Sequence, residues 1–155
     1  MITIEIPGRE KLTIDQVVFD YNGTIAVDGM LVPGLEERFR KLKEAVEILV
    51  LTADTYGTVK EQCEPLGIRV QTFPRANAAA CKEKIVSGMT GGICCIGNGY
   101  NDMKMFAAAA LRIAVLGKEG LYPGLLPLSD VLVSTPEDAL DLLLKPDRLR
   151  ATLRT

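Results

Sequence analysis

The segment Val17-Val18-Phe19-Asp20-Tyr21-Asn22-Gly23-Thr24 carries the clearest chemical signal in the chain. Its three apolar residues read as the end of a buried strand. The character then flips to Asp-Tyr-Asn-Gly-Thr. A carboxylate at the C-terminal tip of a buried strand adds little to packing, but it stands where open parallel sheets bind their ligands. Gly23 permits a sharp turn and Thr24 supplies a hydroxyl. Asp20 can serve as a nucleophile, a metal ligand, or both. The plainer reading is a strand that ends in an Asn-Gly turn. Two later apolar runs end in the same way, however. Val46 to Leu51 leads into Thr52-Ala53-Asp54, and Ile93 to Ile96 leads into Gly97-Asn98-Gly99-Tyr100-Asn101-Asp102. A helical stretch between them carries Lys82 and Lys84.

Strand C-termini of a parallel sheet share one edge, so these polar tips are expected to converge. Carboxylates gathered in a small patch call for a hard cation. Magnesium prefers oxygen ligands and keeps several waters beside a substrate phosphate. Thr52, one of the two lysines and helix N-terminal amides suit phosphate oxygens. Asp20 is placed to attack phosphorus and form an acyl phosphate. The chain has no histidine, so Ser-His-Asp and Cys-His sites and a histidine general base are excluded.

The elements that must hold these groups follow from periodicity. Residues 2–6 and 11–14 alternate apolar and polar around Pro7-Gly8-Arg9-Glu10, which predicts an N-terminal β-hairpin. Ile25 to Val32, centred on Asp28-Gly29, predicts a second, small hairpin that can act as a flap over the site. Helices are expected over 35–45, 56–66, 76–87 and 101–110, and from Pro136, where Thr135 offers a cap. Asp54 or Thr55 can cap the second of these, and Gly67 ends it. Strands are expected over 16–19, 46–51, 68–73, 93–96, 112–116 and 131–133. The basic tail after Pro146 is expected to fray. Helices alternating with continuous apolar strands imply an α/β, Rossmann-like, doubly wound parallel sheet with helices on both faces.

At 155 residues and 48% apolar content, one domain with its own core is expected. The net charge of −2 leaves no basic footprint for nucleic acid. No apolar run is long enough to span a membrane, and the N-terminus lacks a basic-then-apolar leader, so a cytoplasmic location is expected. Cys63, Cys81, Cys94 and Cys95 form no Cys-x-x-Cys pair and read as small hydrophobes.

Asp20-Tyr21-Asn22-Gly23-Thr24 resembles the first motif of the haloacid dehalogenase (HAD) superfamily. Leu51-Thr52 resembles the second, the helical lysine the third, and Gly97 to Asp102 the fourth. Within the superfamily the sequence is most similar to the phosphorylation domain of P-type ATPases. Thr52-Ala53-Asp54-Thr55 with Leu66-Gly67-Ile68, Phe73-Pro74 with Lys82 and Val86, and Gly97 to Asp102 with Ala107-Ala108-Ala109 carry that likeness. It favours Lys82 over Lys84 as the motif lysine. It implies Asp20, Asn22, Thr52 and Lys82 as catalytic residues. Asp20, Gly23, Thr52, Ala53 and Lys82 are implied for phosphate, and Asp20, Asn22, Asn98 and Asp102 for Mg2+, with Asp102 the main second ligand.

The departures from the family pattern are informative. Too few residues separate Asp20 from Lys82 for a cap or nucleotide-binding domain. The resemblance therefore implies a capless member, which tends to act on large substrates or to close its site with a second copy of itself. Phosphatases of the superfamily carry Asp where this chain has Asn22. An amide cannot shuttle a proton at neutral pH. Asn98 likewise replaces a usual Asp. Two readings follow: a slow phosphohydrolase or phosphotransferase acting on a phosphorylated substrate, or a metal- and phosphate-binding or protein-interaction module with little turnover.

Overall fold

A computed structural model describes residues 1–53 and 57–155. Among the described residues, six parallel strands form the central sheet: β3 (Gln16–Asp20), β6 (Glu47–Thr52), β7 (Arg69–Thr72), β8 (Ile93–Gly97), β9 (Leu111–Val115) and β10 (Val131–Val133). Their spatial order is β10-β9-β8-β3-β6-β7. The chain moves outward from β3 on one side through β6 and β7, and on the other through β8, β9 and β10. The strand order therefore reverses at β3, the point at which open α/β sheets form a ligand crevice. Register pairs Phe19 with Val50 and Ile96, and Asp20 with Leu51, so the tips of β6, β3 and β8 lie side by side.

Each central strand sends alternate residues to opposite faces, and both faces are buried. Val17, Phe19, Ile48, Val50, Cys94 and Ile96 enter one core. It is closed by α1 (Glu36–Leu42) through Phe39 and Leu42, by α2 (Val59–Cys63), and by α5 (Pro136–Leu144) through Leu140 and Leu143. Val18, Leu49, Leu51, Ile93 and Cys95 enter the other. There α3 (Ala78–Ser87) contributes Val86, and α4 (Met103–Ala107) contributes Met105 and Phe106. Phe19 meets Phe39 edge-on, with ring centroids 5.3 Å apart. The cysteines at 63, 94 and 95 are buried and unpaired. Burial pushes the Cys63 thiol up to about 11 and raises those of Cys94 and Cys95, so all three are inert hydrophobes.

Two antiparallel hairpins stand outside the sheet: β1 (Ile2–Ile4) with β2 (Leu12–Ile14), and β4 (Ala26–Val27) with β5 (Met30–Leu31). The second turns at Asp28, with φ +51°, and Gly29. The Gly29 carbonyl accepts hydrogen bonds from the Tyr21 hydroxyl at 3.0 Å and from Thr58 Oγ1 at 2.9 Å. Buried Tyr21 thus ties the hairpin to the tip of β3.

Three expectations are corrected. The segment after Pro146 is not frayed: it forms α6 (Pro146–Leu153) and buries Leu149. The Arg150 guanidinium bonds the Glu5 carbonyl at 3.1 Å, and so fastens this helix to the N-terminal hairpin. The helix expected over 101–110 begins as a 3-10 turn, Tyr100–Asp102, and ends at Ala107. The helix expected over 56–66 is α2 followed by a 3-10 turn, Glu64–Leu66, and its first residue is Val59. The suggested caps Asp54 and Thr55 lie outside the described residues. The Thr135 cap forms as expected, its hydroxyl accepting from the Asp138 N–H at 3.1 Å.

Candidate active site

Asp20 ends β3 and is buried. Its Oδ1 accepts a hydrogen bond from Lys82 Nζ at 2.5 Å, and its Oδ2 accepts from Thr24 Oγ1 at 2.9 Å. Lys82 reaches in from α3 with a side chain only 1% exposed. Its ammonium also donates to Asp102 Oδ1 at 2.7 Å and Asn101 Oδ1 at 3.0 Å. Three N–H donors meet three acceptors, so the buried cation is fully satisfied.

The two carboxylates and one ammonium leave a net negative charge in a dry setting. Burial pushes the Asp20 carboxyl up to about 6; the nearby Asp102 charge adds to this, and Lys82 and Thr24 pull it back. Burial alone would lower the Lys82 ammonium, but the two carboxylates outweigh it and hold it above its usual value.

Asp102 is the least accessible member of the set, with a side chain 0% exposed. Its Oδ1 is taken by Lys82, and its Oδ2 accepts from the N–H groups of Asn98 and Gly99, at 3.0 and 2.9 Å. Gly97 makes this possible, since a Cβ there would stand 2.5 Å from Asp102 Oδ2. Asp102, expected as the main second metal ligand, thus has both oxygens engaged by Lys82, Asn98 and Gly99. Its oxygens are turned inward, where they orient Lys82 and shape the loop that carries Asn98.

Asn98 donates from Nδ2 to the Gly120 carbonyl at 3.0 Å. That bond sets the amide orientation and aims Oδ1 at Thr24 Oγ1, 3.1 Å away and beside Asp20 Oδ2. Gly23 turns with φ +82°, and a Cβ there would lie 2.4 Å from Asn98 Nδ2. Its N–H donates to the Ala26 carbonyl at 2.9 Å. The missing Cβ at Gly23, a residue expected to contact phosphate, lets Asn98 and Thr24 approach each other. Asn22 leaves its side-chain Oδ1 buried with no hydrogen-bond partner among the described residues. Such an orphaned acceptor is costly and marks a place for a cation or donor.

A cavity of about 420 Å³ opens over this cluster, lined in part by Asp20, Asn22, Thr52, Ala53, Lys82 and Asn98. Thr52 is buried at the tip of β6, and Ala53 follows it. The sequence-predicted residues therefore meet at one strand edge. Sequence reasoning passed over Asn101, which bonds Lys82 here; its place inside the fourth motif was the available signal. Among the described residues no group of three His, Cys, Asp or Glu side chains is arranged for a metal. The donor set is one carboxylate, Asp20, beside the amide oxygens of Asn22 and Asn98. These donors are hard oxygens, one of them orphaned, and they fit a cation that keeps much of its water.

No protein-family model matches the chain. Over 62 residues the chain is 47% identical to the uncharacterized protein MJ0073 of Methanocaldococcus jannaschii, covering 40% of this chain and 67% of that protein. Among solved structures, 3-deoxy-D-manno-octulosonate 8-phosphate phosphatase from Moraxella catarrhalis superposes with a TM-score of 0.68 at 18% identity, covering 91% of this chain and 94% of that one. Its crystals hold a magnesium ion, a phosphate ion and a KDO molecule. A protein named as a HAD family hydrolase, from Streptomyces avermitilis, superposes with a TM-score of 0.62 at 20% identity, over 82% of this chain and 86% of that one. The chain belongs to the family of the Methanocaldococcus protein, and its fold is that of these phosphatase and HAD family hydrolase structures.

Proposed function

We propose that this protein is a magnesium-dependent phosphohydrolase that works through an aspartyl phosphate on Asp20. The observation that carries the reading is the Asp20–Lys82–Asp102 cluster beneath an open cavity, with Asn22 Oδ1 orphaned beside it. Asp20, Asn22 and Asn98 would hold the magnesium ion, and Asp102 would brace the loop behind them. When bound, the ion supplies neutralisation of charge on the transferring phosphoryl group. Thr52, Ala53 and Lys82 hold the phosphate oxygens. The fold's likeness to a phosphatase that binds magnesium and phosphate supports the same assignment.

In the first step a carboxylate oxygen of Asp20 attacks phosphorus as the bond to the leaving oxygen breaks. Asn22 has no acidic proton to give, so the leaving oxygen takes its proton from water. In the second step water attacks phosphorus, the Asp20–phosphorus bond breaks, and inorganic phosphate leaves. No carboxylate at position 22 activates that water. Loss of a general acid–base group is typically worth about 10²–10⁴-fold in rate, so the phosphoenzyme is expected to be long-lived. A homo-oligomeric, cytoplasmic protein acting on a phosphorylated substrate completes the proposal, and no described helix is long and apolar enough to cross a membrane.

Mass spectrometry after incubation with acetyl phosphate tests this. A magnesium-dependent phosphate adduct that is absent in Asp20→Asn is the expected result. In Asn22→Asp the adduct is expected to decay about 10²-fold faster or more. Asn22 and Asn98 also support the second reading, a module that binds phosphate without turnover. Phosphate binding by calorimetry, with no adduct from any donor, would favour it.

A further inference from the structure

We propose, building on the phosphohydrolase reading, that Tyr100 and Tyr122 form a platform selecting phosphate esters whose leaving group carries an uncharged flat ring. Tyr100 lines the same cavity as Asp20 and Lys82, yet its side chain is left 67% exposed. Scattered exposed apolar residues are ordinary. This one is not scattered, because Tyr122 packs against it edge-on, with centroids 5.1 Å apart and planes at 69°.

Both rings are positioned by the site itself. Tyr100 opens the 3-10 turn that ends in buried Asp102, so its distance from the Lys82 cluster is set by one turn of chain. The Tyr122 N–H donates to the Asn98 carbonyl at 2.8 Å, which ties the second ring to the residue beside Asp20. Phe73 lines the cavity as well. Among the described lining residues the cation is Lys82, which serves the phosphate at the Asp20 end of the cavity, so the Tyr100 end carries none. An acidic leaving group finds no counter-charge there, whereas a neutral ring finds aromatic faces and edges to stack on.

Two measurements test the platform. The first is calorimetric binding of benzylphosphonate and methylphosphonate, in the presence of magnesium, to the wild type, Tyr100→Ala and Tyr100→Phe. Benzylphosphonate is expected to bind about tenfold tighter than methylphosphonate. The preference is expected to be lost in Tyr100→Ala and kept in Tyr100→Phe. The second measurement is kcat/KM for p-nitrophenyl phosphate, a nucleoside 5′-monophosphate and 6-phosphogluconate, each relative to acetyl phosphate. The first two arms separate an aryl ring from a nucleobase as the natural source of the ring. Equal phosphonate affinities, an unchanged ratio in Tyr100→Ala, or a preference for 6-phosphogluconate would overturn the platform. Binding that shows the ring preference without an Asp20 adduct would overturn the hydrolase reading and leave the platform standing.

Discussion

Two carboxylates in this molecule each sit against a cation, and they respond in opposite directions. Asp141 on α5 accepts from Arg38 Nε at 2.9 Å, with Lys145 and Arg148 at 3.5 and 3.7 Å. Slight burial raises its carboxyl, but the Arg38 hydrogen bond and the surrounding positive charge outweigh this and hold it below the ordinary range. Asp20 lies 2.5 Å from Lys82, a shorter contact, yet its carboxyl is pushed up to about 6. The difference is the surroundings. Asp141 keeps water on one side and faces an excess of cations. Asp20 has lost its water and shares one ammonium with Asp102. An ion pair at a strand tip, buried and short of positive charge, is ready for a divalent cation; the same pair on a helix surface is a fastener.

Breaking the buried member has the largest expected effect. Asp20→Asn should lower phosphate-ester turnover by about 10⁴–10⁶-fold, as loss of a covalent nucleophile does, while a change at Asp141 should leave turnover within about twofold, given its surface position. Steady-state assays on both variants check this. Lys82→Ala leaves two carboxylates facing each other in the core. It should cost about 3–5 kcal/mol of stability, read as a shift in the urea midpoint. The matching surface change, Arg38→Ala, should move the midpoint far less in the same experiment.

The pH dependence sharpens the contrast further. Asp20 titrates near 6 when folded and near its ordinary value of 3.8 when unfolded. Between those values the folded state holds more protons, so stability of the metal-free protein should fall as pH rises from about 4 to 6. The full swing from this one group is up to about 3 kcal/mol. Thermal melts in chelator should show the slope in the wild type and lose it in Asp20→Asn. Asp141 has the opposite sign: its contribution is present above pH 4 and is lost as acid protonates it below that value. The smallest expected effect is at the helix cap, where Thr135→Ala should cost about 1 kcal/mol and leave both pH slopes in place.

Much of this arrangement was legible in the chain. Continuous apolar runs such as Val46 to Leu51 announce strands buried on both faces, and their abrupt polar ends announce a common edge. The capped start of α5 and the Asp28-Gly29 turn are equally local, because a single hydroxyl or a left-handed residue suffices to form them. The tail departs from the expected fraying because charge pattern alone cannot show that Leu149 finds a buried seat and Arg150 a carbonyl 145 residues away in sequence. The helix after Asp102 stops short of its expected end: a run of alanines favours helix locally, but the Ala110 N–H bonds the Ile93 carbonyl at the start of β8 and the chain turns into β9.

The sequence by itself determined which polar residues end the apolar strands and that they share one edge, because strand polarity and motif order are properties of the chain. Only the tertiary structure decided their contacts. Asp102 is buried completely, with both its oxygens filled. Gly23 gives its N–H to the Ala26 carbonyl. Asn22 is left with an orphaned Oδ1 among the described residues, whereas Asn98 is held by its nitrogen on Gly120 and turns its oxygen to Thr24. Those outcomes depend on distances of a few ångströms between residues up to 74 positions apart, and no local pattern encodes such distances.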